Sequence, residues 1–189
     1  GVVPADRDLE LAWRPAVGAA PGAAAFVEQS NGRTHALVMV LPPSVDTDAA
    51  PMPREATFVV DTSGSMSGVS LVQAKEATGF AISRLKPGDR FNVIEFNSRT
   101  RSLFPAPMPV DRTTVDAARR FVASLRASGG TEMKPALAAA LAPEAAPGYA
   151  RQVFFLTDGA VGNERELLRL VRENLGDRRL YTIAIGPAP

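Results

Sequence analysis

Apolar and polar positions follow one pattern in the first part of the chain and a different pattern in the remainder. Residues 24–42 contain two apolar runs separated by Asn31-Gly32, a pair that readily adopts the positive φ angles of a tight hairpin turn. We therefore expect two antiparallel strands there, and we assign residues 1–41 to a β-hairpin segment. Residues 42–55 contain four prolines and little that could pack, which predicts a connector.

From Ala56 onward, short apolar runs that predict buried strands alternate with segments of helical periodicity. The predicted strands cover 56–60, 90–98, 151–159 and 179–186, with a short edge strand at 101–105. The predicted helices cover 69–86, 113–128, 132–143 and 164–176. This order predicts an α/β fold: a doubly wound, Rossmann-like, mostly parallel sheet with helices on both faces, preceded by a short β-rich segment.

Two of the predicted helices carry a stripe of apolar residues that we expect to face the sheet. In the helix at 113–128 the stripe consists of Val115, Ala118, Val122 and Leu125. In the helix at 69–86 it consists of Val69, Val72, Ala77, Phe80, Ala81 and Leu85.

The overall composition narrows the class of function. The 189 residues carry a formal net charge of +1, which argues against binding nucleic acid or an anionic membrane through bulk electrostatics. Cysteine is absent, so disulfides and thiolate zinc sites are excluded. No apolar run approaches the ~20 residues that a membrane helix needs, and the N-terminus lacks the features of a signal peptide. Both ends look cut, so we expect a fragment of a larger protein that does not itself insert into a membrane.

Small polar residues follow two of the predicted strands, where doubly wound sheets bind their ligands. Asp61, Ser63 and Ser65 follow the first of these strands, and their i, i+2, i+4 spacing can turn three side chains toward one point. Asp158 follows a second strand, and Thr131 follows a double-glycine bend that opens a helix. The sequence therefore predicts that three separate loops bring their polar side chains together.

These five side chains offer only oxygen, as two carboxylates and three hydroxyls. Such hard donors suit Mg²⁺ or Mn²⁺ and, more loosely, Ca²⁺. The two carboxylates roughly balance a divalent charge, while the neutral hydroxyls leave the ion electrophilic. We therefore predict a metal site that accepts one further anionic oxygen, supplied by a glutamate or aspartate of a partner protein.

The segments DTSGSMSG, GGTEM and FFLTDG together resemble the metal-ion-dependent adhesion site of a von Willebrand factor A domain. The pattern of that family, Asp-x-Ser-x-Ser with a later Thr and a later Asp, maps onto Asp61, Ser63, Ser65, Thr131 and Asp158 without substitution. The resemblance covers about residues 55–186. It implies a non-enzymatic adhesion module in which the serines, and the threonine in the ligand-bound form, contact the metal directly while the aspartates often act through water.

A finer resemblance is to A domains of the inter-α-trypsin-inhibitor heavy-chain type, including bacterial surface proteins described as sortase targets. It rests on VVDTSGSMSG together with FFLTDGAVGNE. It implies that residues 7–15 and the hairpin are the tail of a preceding β-rich, VIT-like domain, and that residues 56–189 are the A domain. It also implies an extracytoplasmic location, on the cell surface or in the periplasm. In that family a further helix and strand follow the equivalent of YTIAIG, so we expect the domain to be truncated there.

Other interpretations of the same residues stay open at the level of sequence. Asp61, Ser63 and Ser65 could form only a capped turn, and Thr131 could be a helix N-cap. The metal could be structural, with partners binding elsewhere. A metal-dependent phosphohydrolase with Asp61 as nucleophile is less favoured, because Ser63 stands where a second aspartate would act as acid and base. We expect Glu95 to be solvated or hydrogen-bonded, not a ligand.

Overall fold

The computed structural model describes residues 22–41, 52–142, 147–159 and 164–186. The chain divides after Ala50 into two compact units. The predicted segment 7–15 and most of the predicted connector lie outside the described residues. Within the described residues, no helix is long and apolar enough to cross a membrane.

The first unit contains the predicted hairpin. Strands β1 (Gly22–Ser30) and β2 (Arg33–Leu41) pair antiparallel around Asn31 and Gly32, whose φ angles are 52° and 72°. These positive angles are the ones that an Asn-Gly turn favours, so the turn prediction is confirmed. Phe26 remains 56% exposed in this hairpin.

The second unit contains a six-stranded sheet and four α-helices. Its strands are β3 (Arg54–Asp61), β4 (Arg90–Phe96), β5 (Thr100–Ser102), β6 (Met108–Pro109), β7 (Ala150–Thr157) and β8 (Arg179–Ala184). Its helices are α1 (Val69–Ser83), α2 (Arg112–Ser124), α3 (Met133–Leu141) and α4 (Glu164–Asn174), with a 3₁₀ turn at Gly64–Met66. The short β6 was not predicted, because its two residues give no apolar pattern.

The strand order is β5-β4-β3-β7-β8, with β6 also paired to β4. Strands β3, β4, β7 and β8 are mutually parallel, whereas β5 and β6 run antiparallel to β4. The predicted doubly wound, mostly parallel sheet is therefore confirmed. Because the chain leaves β3 toward β4 on one side and later returns to β7 on the other, the loops after β3 and β7 diverge at one point of the sheet edge, where such folds bind ligands.

Helices cover both faces of the sheet, which explains why residues 58–60 in the middle of β3 are all apolar. Phe58 and Val60 face a core formed with α1 and α2, whereas Val59 faces a second core formed with α3 and α4. Successive residues of a strand point to opposite faces, so a strand buried on both sides has no polar alternation.

Ion pairs satisfy the polar residues that begin β3. The guanidinium of Arg54 donates to Oδ2 of Asp89 from Nε at 3.1 Å and from a terminal nitrogen at 2.7 Å, and Glu55 accepts from Nε of Arg151 at 2.9 Å. Burial alone would raise the pKa of Asp89, but backbone N–H groups of Arg54 and Lys86 and the charge of Arg54 hold that pKa below its ordinary value. These contacts allow the strand to begin at Arg54, inside the predicted connector.

The predicted apolar stripe is partly wrong for α1 and largely right for α2. Val69, Val72 and Phe80 are each more than half exposed, whereas Ala81 and Leu85 pack against the core as predicted. The residues of α1 that are buried against the sheet are Ser70, Leu71, Ala74, Thr78 and Ile82. Apolar residues occur on more than one side of α1, so the periodicity alone cannot show which side of the helix faces the sheet. A polar residue can be buried there because the Thr78 hydroxyl donates to the carbonyl of Ala74 at 2.7 Å. In α2, Ala118 and Val122 are buried and Leu125 follows the helix into the core, as predicted.

Candidate metal centre

Asp61 is the last residue of β3 and its side chain is fully buried. Its Oδ1 accepts the backbone N–H of Ser63 at 2.8 Å, and its Oδ2 accepts the hydroxyl of Thr157 at 2.7 Å. Both donors are neutral. No lysine or arginine of the described ranges forms an ion pair with Asp61. A buried carboxylate without a cationic partner is costly, so this residue creates a local demand for positive charge.

A chain of side-chain contacts leads from Ser63 to Asp158. The hydroxyl of Ser65 donates to Oδ1 of Asp158 at 2.9 Å, so its single proton is already used. Ser63 Oγ lies 3.1 Å from Ser65 Oγ and must therefore be the donor in that pair. The loop after β3 and the loop after β7 thus meet through hydroxyl and carboxylate oxygens, as the sequence predicted.

Backbone hydrogen bonds attach the loop between α2 and α3 to the same place. The N–H of Gly64 donates to the carbonyl of Gly129 at 3.0 Å, and the N–H of Ser128 donates to the carbonyl of Thr62 at 2.8 Å. Gly129 has a φ of +74°, and a Cβ built on it would lie 2.8 Å from Oγ of Ser98. Only glycine fits this close approach without strain. The double-glycine bend is therefore a contact point between loops.

Thr131 lies on this attached loop but is exposed, and within the described residues no hydrogen bond joins its side chain to the other four predicted ligands. Its loop is fixed on both sides, since the N–H of Glu132 donates to the carbonyl of Asn97 at 2.8 Å. Direct contacts thus connect Asp61, Ser63, Ser65 and Asp158 but not Thr131.

The helix-cap alternatives explain little of the cluster. Ser63 stands at the N-cap of the 3₁₀ turn, but its side chain makes no capping hydrogen bond. Helix α1 begins after Gly68, and α3 begins after Glu132, so none of the predicted ligands stands at either of those N-cap positions. Asp61 does close a turn onto the N–H of Ser63, and that turn uses only one of its two oxygens. The alternative of a capped turn therefore explains part of this loop and leaves Ser65 and Asp158 unexplained.

Sequence reasoning missed the residues that support the loop after β3. The buried hydroxyl of Thr62 lies 3.2 Å from Oε1 of Glu95 and 3.1 Å from the carbonyl of Phe96. Glu95 was expected to be either solvated or hydrogen-bonded, and the structure shows the hydrogen-bonded state. Its side chain is buried and forms an ion pair with Arg101 at 2.5 Å. The parallel register places Val60 opposite both Glu95 and Leu156. A predicted strand order would therefore have identified Glu95 and Thr157 as neighbours of the site.

The donor set fits a hard divalent cation. In the described part of the chain there is no cluster of three or more His, Cys, Asp or Glu side chains that could hold a metal. The centre instead combines two carboxylates with serine hydroxyls, whose lone pairs remain available because their protons are donated within the cluster. Oxygen donors of this kind suit Mg²⁺, Mn²⁺ or Ca²⁺ better than softer ions.

Comparison with known proteins identifies the second unit. The family profile of the von Willebrand factor type A domain matches residues 54–189. A von Willebrand factor A domain-containing protein of Dictyostelium discoideum is 32% identical over 85% of this chain and 18% of its own length. The human von Willebrand factor A domain-containing protein 5B1 is 35% identical over 70% of this chain and 11% of its own length. Human inter-alpha-trypsin inhibitor heavy chain H4 is 34% identical over 71% of this chain and 16% of its own length.

Two solved structures extend the comparison. A von Willebrand factor type A protein from Catenulispora acidiphila has a TM-score of 0.63 at 26% identity and covers 87% of this chain and 40% of that one. The second is proximal thread matrix protein 1 from the mussel byssus, described with a zinc-occupied MIDAS (metal-ion-dependent adhesion site) motif. It has a TM-score of 0.56 at 17% identity and covers 72% of this chain and 39% of that one. The second likeness shows the fold alone. The chain spans less than a fifth of the length of the three relatives named above.

Proposed function

Because the chain belongs to the von Willebrand factor type A domain family, we propose that it is a binding module whose metal centre recruits an acidic side chain of a partner protein. One observation carries this proposal. Asp61, Ser63, Ser65 and Asp158 come from two strand ends and form one hydrogen-bonded cluster, which includes a buried carboxylate that has no cationic partner among the described residues.

Each residue of the cluster has a distinct role in this proposal. Ser63 and Ser65 hold the ion through their hydroxyl oxygens, with Thr131 as a third hydroxyl from the attached loop. Asp61 and Asp158 balance the charge of the ion and orient the serines. When bound, the cation supplies a Lewis-acidic position that accepts the carboxylate of the partner.

The number and kind of donors support Mg²⁺ or Mn²⁺ over Ca²⁺. Mg²⁺ is usually bound through one or two carboxylates and keeps several waters, whereas Ca²⁺ takes about six to eight oxygen ligands. The predicted ligands are two carboxylates and three hydroxyls, which fits the smaller ion better. We therefore propose Mg²⁺ as the resident ion, with Mn²⁺ as a close substitute.

The burial of Asp61 argues against a phosphohydrolase. A nucleophilic carboxylate must reach the phosphorus atom of its substrate, but Asp61 is fully buried and each of its oxygens already accepts a hydrogen bond. The family consists mostly of binding modules without catalytic activity, which agrees with this argument.

The wider context of the domain is also a proposal. We assign the chain to the inter-α-trypsin-inhibitor heavy-chain type, with β1 and β2 as the end of a β-rich domain of a longer protein. The apolar residues that this hairpin exposes support that assignment, because an isolated two-stranded hairpin is marginally stable in water. We propose an extracytoplasmic location. The solved structures of similar fold include a type V pili tip protein of Porphyromonas gingivalis and an aerotolerance-related membrane protein of Bacteroides fragilis, which agrees with it.

A titration with Mn²⁺, followed by water proton relaxation, tests the proposed function. We expect one Mn²⁺ per chain and a large relaxation enhancement from water at the open coordination position. Added acetate, a minimal carboxylate probe, should lower that enhancement by displacing water. Ser65→Ala should weaken Mn²⁺ binding at least tenfold, whereas Ser67→Ala, which changes an exposed hydroxyl two residues away, should leave it unchanged.

The same titration separates the alternatives. Mn²⁺ binding with no response to acetate would indicate a structural ion and would overturn the proposal of a carboxylate partner. The absence of Mn²⁺ binding to the folded chain would overturn the metal centre itself.

A further inference from the structure

We propose that Thr157 is a positioning residue of the metal centre and that its hydroxyl sets the affinity for the divalent cation. This inference rests on the proposed function. Thr157 lies outside the five predicted ligands. Its hydroxyl nevertheless touches one of the two carboxylates directly, and it precedes the other in the chain.

The direction of each hydrogen bond at Thr157 follows from its partners. The backbone N–H of Gly159 lies 3.1 Å from Thr157 Oγ1 and can only donate, so the hydroxyl oxygen must accept from it. The proton of the hydroxyl is then free for Oδ2 of Asp61, at 2.7 Å. One side chain thus orients the carboxylate of Asp61 and closes the turn that carries Asp158.

Thr157 is well placed to hold these two groups in a fixed relation. It is the last residue of β7 and is 7% exposed, and its carbonyl accepts the N–H of Ile185 at 3.0 Å beyond the end of β8. The backbone of Thr157 is therefore fixed by β8, while the preceding residue, Leu156, pairs with Val60 of β3. The hydroxyl of Thr157, held in place by this backbone, fixes the position of Oδ2 of Asp61. The other oxygen of that carboxylate is held only by the N–H of Ser63 in the adjacent loop.

Thr157 also lines a cavity, which allows the effect of its hydroxyl to be distinguished from the effect of its packing. The side chain lines an apolar cavity of about 310 Å³ between the sheet and helices α3 and α4. Phe155, Leu137 and Val171 are among the other residues that line this cavity. A change that keeps the shape but removes the hydroxyl can therefore be compared with one that keeps the hydroxyl but enlarges the cavity.

Thr157→Val and Thr157→Ser form this matched pair. We expect Thr157→Val to weaken Mn²⁺ binding by about tenfold or more, because residues that orient metal ligands typically contribute 10- to 100-fold to affinity. We expect Thr157→Ser to bind Mn²⁺ within about threefold of the unmodified chain. The readouts are the dissociation constant for Mn²⁺ by calorimetry and the melting temperature without metal.

The outcomes are distinct. If the residue serves only packing, Thr157→Ser lowers the melting temperature, and Thr157→Val binds Mn²⁺ as tightly as the unmodified chain, which would overturn this inference alone. If the unmodified chain takes up no Mn²⁺, both this inference and the proposed function are overturned. Should Thr157→Val fail to fold, Thr157→Cys replaces it, because a thiol is a weak donor, and the same loss of affinity is expected.

Discussion

Replacing Asp61 by asparagine removes one negative charge from the metal centre and changes the shape of the side chain very little. The amide oxygen can still accept the N–H of Ser63. The amide nitrogen can donate to the hydroxyl oxygen of Thr157, which has a second lone pair for it. We therefore expect the metal-free variant to melt within a few degrees of the unmodified chain, while its response to metal is lost.

The size of that loss can be estimated. At a metal concentration of 100 times Kd, binding stabilises the folded state by about 2.7 kcal/mol. For a domain of this size we expect roughly 4 °C per kcal/mol, so the metal should raise Tm by about 10 °C. At an effective dielectric constant of about 20, two unit charges about 4 Å apart interact by roughly 4 kcal/mol, and the cation carries two such charges, so the loss should be at least about a thousandfold in Kd. Because Asp61 is fully buried, solvent does not screen it as it would an exposed residue. The variant should then show a rise of less than about 1 °C at the same metal concentration.

The assay is thermal unfolding with increasing MgCl₂ or MnCl₂, and with EDTA as the metal-free reference. Asp116→Asn is the matched control, because it removes one carboxylate charge from the exposed surface of α2. It should keep the full metal-dependent rise in Tm. If Asp61→Asn kept the same rise as the control, Asp61 would not belong to the metal centre, and the account of the cluster would be refuted. If the metal-free variant were instead largely unfolded, the residue would be chiefly structural.

Three further predictions concern the support of the fold and the site. Arg151→Met should destabilise the domain by about 3 kcal/mol in urea unfolding, because it removes the hydrogen-bonded cation of buried Glu55 and leaves only the longer, 3.7 Å ion pair with Arg90, whereas Arg169→Met on the exposed face of α4 should change stability by less than about 1 kcal/mol. Gly129→Ala should cost about 1–2 kcal/mol and weaken Mn²⁺ binding, whereas Gly79→Ala inside α1 should be neutral or stabilise by up to about 1 kcal/mol. Because the folded pKa of Asp89 is lowered, its contribution to stability is complete above the ordinary carboxyl value of about 4 and is lost as the pH falls through the lowered value, so Asp89→Asn should flatten the acid limb of a stability–pH profile.

Each of these predictions has a contrary outcome. Equal losses for the two arginine variants would mean that burial does not distinguish the two ion pairs. A tolerated alanine at position 129 would mean that the loop after α2 does not approach Ser98, which follows β4, as closely as described. An unchanged acid limb in Asp89→Asn would mean that Asp89 adds no pH-dependent stability.

The sequence predicted the class and order of the elements well, because their patterns are local. Asn31-Gly32 predicted a turn, and the apolar run after Ala56 predicted a strand buried on both faces. The inner face of α1 could not be predicted, because Val69, Val72 and Phe80 are as apolar as the residues that pack. Only the position of the neighbouring sheet and of α2 decides which side of that helix is covered.

The candidate site also contains residues that a local pattern predicts and residues that it does not. Asp61, Ser63 and Ser65 form a recognisable spacing, and the rule that ligands bind at strand ends pointed to Asp158. The supporting residues carry no such signal. Thr157 lies within the predicted strand 151–159, and Glu95 was expected only to be solvated or hydrogen-bonded, because the roles of both residues depend on which strands lie side by side. Strand order is a long-range property that short patterns do not encode.

The most direct test of the account is anomalous diffraction from a crystal of this chain grown with Mn²⁺. We predict one strong manganese peak within bonding distance of the hydroxyl oxygens of Ser63 and Ser65, with water or a carboxylate at an outward coordination position. Manganese bound only elsewhere on the protein, with the hydroxyl of Ser65 still donating to Asp158 across an empty cluster, would contradict it.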